Sequence, residues 1–105
     1  DLRFATETAY FSIHEINLAM MADLGSLQRL PQLMPQGVLF ELALSGDKLK
    51  ASRARELGLV NEVFLDEEKL RSHVRALAEK IAARSPLAVQ ATRQALKFAR
   101  NHSVD

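Results

Sequence analysis

Apolar and polar positions change period several times along the chain, and each change marks an element. Residues 2–6 and Ala9-Tyr10-Phe11-Ser12-Ile13 are short and rich in aromatic and β-branched side chains, with Glu7-Thr8 between them. That pattern predicts two short strands joined by a tight turn. Leu24, Leu27, Leu30 and Leu33 recur at helical spacing to about Met34, and Pro31 is expected to kink or end that helix. Asp23 falls where an N-cap belongs.

The segment Val38-Leu39-Phe40-Glu41-Leu42-Ala43-Leu44 is apolar nearly all round, which for a helix predicts burial on most sides, and Ser45-Gly46-Asp47 ends it with a C′ glycine. A short helix is expected over Ser52–Leu57, stopped by Gly58, and Leu59–Phe64 reads as one more strand. Asp66 is placed to cap a long helix whose apolar positions are Leu70, Val74, Leu77 and Ile81. Ser85-Pro86 restarts the chain with a capping serine and a first-turn proline, and the last helix is expected to run to about Arg100. No repeat, low-complexity run or linker marks a domain boundary within residues 1–105.

Composition narrows the chemistry. Cysteine is absent, which excludes disulfides, thiolate catalysis and cysteine-ligated metal sites from this chain. His14, His73 and His102 lie far apart with no His-x-x-x-His spacing, so no bound metal is expected. The apolar runs are far short of the ~20 residues that span a bilayer, so no membrane insertion is expected. Residues 1–46 carry two basic and five acidic residues, whereas residues 47–105 carry twelve basic and eight acidic. The basic charges are spread along helix faces with no interleaved aromatic platform, which favours solvated faces over a nucleic-acid surface, and phosphates of a small ligand over nucleic acid. The chain opens on Asp1 directly into a predicted strand, as expected of a fragment, a processed product or an incompletely described protein.

Two carboxylates stand out, because Glu15 and Asp23 flank the nearly uncharged stretch Ile16–Ala22. A carboxylate in apolar surroundings tends towards a raised pKa, and a pair pushed apart can serve as base and acid in one reaction. Helix capping is the stronger reading of Asp23 from spacing alone. Glu15, beside Ile13, Ile16 and Leu18, is expected to be partly buried, which argues for a purpose beyond solvation.

Ordered motifs shift that balance. The run Phe11-Ser12-x-x-Glu15-x-x-Leu18, then Gly25-x-x-Gln28-Arg29-Leu30-Pro31, Ser45-Gly46, Ala54-x-x-x-Gly58-Leu59-Val60-Asn61-Glu62-Val63 and Ser85-Pro86-Leu87-Ala88, resembles the crotonase (enoyl-CoA hydratase/isomerase) superfamily along the whole chain. Ala22-Asp23 stands where hydratases usually carry Pro-Gly, and the carboxylate there resembles the dienoyl-CoA isomerase branch. Ser85-Pro86-x-Ala88-Val89-Gln90 and Ala99-Arg100-Asn101-His102-Ser103-Val104-Asp105 resemble the same branch. Ala19 replaces a common family glycine, and His14 a common hydratase proline.

The resemblance implies an α+β, mainly helical chain, the later portion of a crotonase-like β-β-α spiral, with residues 1–105 a partial domain. Its early strands would be edge remnants whose partners lie upstream. It implies Glu15 and Asp23 as catalytic residues that move a proton along a conjugated diene, converting 3,5-dienoyl-CoA to 2,4-dienoyl-CoA. The oxyanion-binding N–H groups, much of the coenzyme A site and another acidic residue belong to preceding sequence in this family, and a helical tail to following sequence, so the fragment alone is expected to be inactive. No metal or redox cofactor is implied, and coenzyme A arrives as part of the acyl-CoA substrate. A homotrimer or hexamer is expected, with apolar surface on the last two helices at the interface. Peroxisome, mitochondrion or bacterial cytoplasm are all compatible locations, and Ser103-Val104-Asp105 is not a peroxisomal signal. A 2-enoyl-CoA hydratase or another crotonase isomerase is the alternative enzyme reading; a non-catalytic truncated crotonase acting in assembly is the alternative of another class.

Overall fold

The computed structural model describes residues 1–102 and divides into two compact units, Asp1–Leu70 and the residues from Arg71 onward. In the first unit the strands β1 (Phe4–Thr6), β2 (Tyr10–Phe11), β3 (Leu49–Lys50) and β4 (Glu62–Phe64) form two separate pairs. β1 runs parallel to β4 with Phe4 opposite Glu62 and Thr6 opposite Phe64. β2 runs antiparallel to β3 with Phe11 opposite Leu49.

Further bonds extend the β1–β4 ladder at both ends. The Arg3 N–H donates to Asn61 Oδ1 at 3.0 Å, while the Asn61 N–H donates to the Arg3 carbonyl at 2.7 Å. At the other end the Glu7 N–H donates to the Phe64 carbonyl at 2.8 Å. The turn at Glu7-Thr8 closes with the Ala9 N–H donating to the Thr6 carbonyl at 3.0 Å, as the sequence pattern predicts. The two strands on either side of it nonetheless join different sheets, and their partners lie downstream in the chain itself.

Helices α1 (Ser26–Arg29), α2 (Gln36–Ser45) and α3 (Ala51–Glu56) complete the first unit, together with 3-10 turns at His14–Leu18 and Leu30–Gln32. The predicted helix over residues 24–34 is thus broken, because Pro31 lacks the N–H that would continue it. The core gathers Ala5, Ile13, Ala22, Met34, Leu39, Leu42, Leu49, Ala51, Ala54, Leu59 and Val60. Ala51 and Ala54 are fully buried, and Ala54 explains its motif: its carbonyl accepts the Leu59 N–H at 2.9 Å and the Val60 N–H at 3.4 Å, folding the chain back after Gly58. Leu59 and Val60 therefore sit in a buried turn, not in the predicted strand.

α2 departs from its predicted burial. Leu39 and Leu42 face the core, but Phe40 and Leu44 are 59% and 68% exposed. An apolar sequence on all sides does not here mean a covered helix.

Helices α4 (Glu67–Ala82) and α5 (Pro86–Asn101) follow. Asp66 caps α4 as its spacing predicts, its Oδ1 accepting the Lys69 N–H at 2.8 Å. Within the second unit, Ser85 Oγ accepts the Ala88 N–H at 3.3 Å with Pro86 in the first turn of α5. His102 stacks on Phe98 with ring centroids 3.8 Å apart, and its Nδ1 donates to the Phe98 carbonyl at 2.8 Å, which closes the helix end. Leu87 and Leu96 stand exposed on α5. The resemblance noted at Ser103-Val104-Asp105 lies outside the described residues.

Candidate functional site

Glu15 is the second residue of the 3-10 turn His14–Leu18, half-buried as expected, and its backbone carbonyl accepts the Met20 N–H at 3.0 Å. The turn ends at Ala19 in the left-handed conformation, φ 57°. That is the position where the family commonly has glycine, and the backbone supplies the reason: a β-carbon there costs roughly 1–2 kcal/mol.

Asp23 does not cap a helix. The N-cap of α1 is Gly25, φ 101°, and its carbonyl accepts the Gln28 and Arg29 N–H groups at 3.2 and 3.0 Å. Asp23 lies two residues earlier, exposed. The capping explanation, the stronger one on spacing, is therefore set aside by the geometry. Among the described residues neither carboxylate is held by a hydrogen bond or ion pair, so both stay available to an outside group.

The chain between them forms a wall. Ile16, Ala19, Met20, Met21 and Ala22 line an open apolar groove of about 640 Å³, whose opposite side comes from Leu39, Phe40, Ala43 and Leu44 of α2. The exposed residues of α2 thus face a concavity of the size that ligands occupy, ~300–1,000 Å³. A second cavity of about 420 Å³ begins on the other side of Asp23, with Leu24, Gly25, Arg29 and Arg3 in its lining. Asp23 stands in sequence between Ala22 of the first and Leu24 of the second. Neither carboxylate lines the groove; they stand at the two ends of the segment that does.

Sequence reasoning passed over Asn17 and the use made of Gly46. The Asn17 side-chain amide donates to the Gly46 carbonyl at 3.3 Å and to His14 Nδ1 at 3.0 Å, and Ser12 Oγ donates to the same carbonyl at 3.4 Å. The signal was present in Ser45-Gly46, read as a helix stop and a motif block but not as an anchor for the turn. Among the described residues no group of three metal-ligating side chains occurs, and no helix is long and apolar enough to cross a membrane.

Residues 1–104 match the enoyl-CoA hydratase/isomerase family. The chain is 44% identical over 105 residues to the peroxisomal Delta(3,5)-Delta(2,4)-dienoyl-CoA isomerase of Arabidopsis thaliana, covering 100% of this chain and 38% of the relative. It is 40% identical to the mitochondrial enzyme of the same name from Homo sapiens, covering 99% of this chain and 32% of that protein. Among solved structures, enoyl-CoA hydratase from Mycobacterium tuberculosis H37Rv superposes with a TM-score of 0.90 at 44% identity, covering 100% of this chain and 41% of that one. The chain thus spans well under half the length of the relatives it matches.

Proposed function

Since the chain belongs to the enoyl-CoA hydratase/isomerase family and carries part of the crotonase fold, we propose that it provides the proton-moving side of a 3,5-dienoyl-CoA to 2,4-dienoyl-CoA isomerase. The observation that supports this is the pair of unengaged carboxylates at the two ends of one apolar wall. Shifting a diene along an acyl chain needs a base near the thioester and an acid several carbons away. Two separated carboxylates meet that need.

In the proposed reaction the Asp23 carboxylate takes a proton from the carbon between the thioester and the diene. The C–H electron pair spreads through the conjugated system to give an extended dienolate. Glu15, acting as the acid, gives a proton to the distal carbon, and the double bonds come to rest next to the thioester. Both carboxyls then return to their starting states by exchange with water. Coenzyme A enters as part of the substrate, and the oxyanion is stabilised by groups outside this chain.

The test is turnover of a 3,5-dienoyl-CoA by the complete polypeptide, followed by the ultraviolet absorbance that grows as the diene joins the thioester carbonyl. Asp23→Asn and Glu15→Gln are each expected to lower turnover; unchanged turnover in either would remove that residue's role. Water addition to a 2-enoyl-CoA is the second reading, favoured by the equal 44% identity to the mycobacterial hydratase. Asp23 at the glycine position argues against it. Product analysis with a 2-enoyl-CoA separates the two, since only hydration yields a hydroxyacyl product.

A further inference from the structure

We infer that Asn17 is a positioning residue for Glu15, latching the turn that carries the carboxylate onto the C-terminal end of α2. This rests on the reading of Glu15 as a proton donor. Three observations meet at this one side chain. Nδ2 has two hydrogens and two acceptors in reach, the Gly46 carbonyl at 3.3 Å and His14 Nδ1 at 3.0 Å. With Nδ1 accepting, the imidazole proton is left on Nε2. The Asn17 side chain also occupies the space that a β-carbon on Gly46 would need, so a larger residue at 46 would push the amide out of its present place.

The turn needs such an anchor. A 3-10 turn of five residues has poorly aligned hydrogen bonds of its own, and this one ends at the strained Ala19. Asn17 ties the first residue of the turn, His14, to a fixed point on α2, and Glu15 lies between the two tied positions. The bonds are at the surface and compete with water, so their weight in overall stability is small. Their weight in geometry is not. A displacement of about 1 Å in a reacting group can cost on the order of 10²-fold in rate.

Asn17→Asp keeps the shape and removes the donor hydrogens; Asn17→Ala removes both. In the complete polypeptide, assayed with a 3,5-dienoyl-CoA, each is expected to lower kcat by about 10- to 100-fold, with KM within roughly twofold and the thermal midpoint little changed. The same substitutions are then placed on a Glu15→Gln background. If Asn17 acts through Glu15, the further loss largely disappears there, because there is no longer a proton donor to position. An undiminished loss on that background, or full kcat in both single variants, overturns the inference. Should Asn17→Asp fail to fold, Asn17→Ala carries the same comparison, and folding failure of both shows a structural role and overturns the inference as well. Full activity in Glu15→Gln alone refutes the catalytic reading and the positioning role with it. Loss in Glu15→Gln without loss at Asn17 refutes the positioning role only.

Discussion

The side chain of Asn17 fills the volume that a β-carbon on Gly46 would claim, and its amide donates to the Gly46 carbonyl at 3.3 Å. Gly46 also sits at φ 71°, so two independent constraints act on one residue. Gly46→Ala is expected to destabilise the complete protein by roughly 1–3 kcal/mol from the backbone alone, with more from the displaced amide. Adding Asn17→Ala should return the second part and not the first. Thermal melting of both variants checks this.

The proposed acid–base role of the two carboxylates makes a sharper demand. Asp23→Asn and Glu15→Gln preserve shape and remove acid–base capacity, so each is expected to cost about 10²–10⁴ in isomerase kcat. Secondary structure by circular dichroism should be unchanged. Stopped-flow absorbance with a 3,5-dienoyl-CoA reads the rate directly.

Ala19 holds a left-handed backbone at φ 57° with a β-carbon attached. Replacing it with glycine relieves roughly 1–2 kcal/mol of strain, against about 0.4–1 kcal/mol lost to a freer unfolded chain. A net gain of about 1 kcal/mol or less is expected, seen as a small rise in melting temperature. A fall would show that the methyl group's packing in the groove outweighs the strain.

Leu49 is 1% exposed and pairs across β2–β3 with Phe11. Leu49→Ala leaves a cavity in a dense cluster and is expected to cost about 2–5 kcal/mol. The ion pair of Arg55 Nε with Glu62 Oε1 is shorter than most at 2.7 Å, yet it is solvated on both sides. Arg55→Ala should therefore cost no more than about 1 kcal/mol. Denaturant titration of the two variants side by side tests the contrast.

Helices α4 and α5 were legible because they are long, amphipathic and capped, so local chemistry alone sets their limits. Asp66 and Ser85 do what their positions predict. The middle of the chain was less readable. β3 is two residues long and carries no alternation to detect, and its existence depends on β2 arriving beside it. Phe40 and Leu44 show the limit of hydrophobicity as a guide to burial, since side chains of the same kind serve the core at Leu39 and Leu42 and the groove wall at these two. Glu15 and Asp23 were legible as two carboxylates flanking one apolar stretch. The role first favoured for Asp23 was not, because the helix start is set two residues later by the left-handed Gly25, a conformational choice that spacing does not reveal.

β1 and β4 are joined across a sequence separation of 58 residues, measured at Arg3 and Asn61. A parallel ladder of that span cannot nucleate locally, and its closure waits on the collapse of everything between. On the ribosome, Phe4–Thr6 would leave the exit tunnel long before Glu62–Phe64, and the edge that β4 takes stays unpaired until it appears. The time between those two events is when this chain is most exposed to wrong partners.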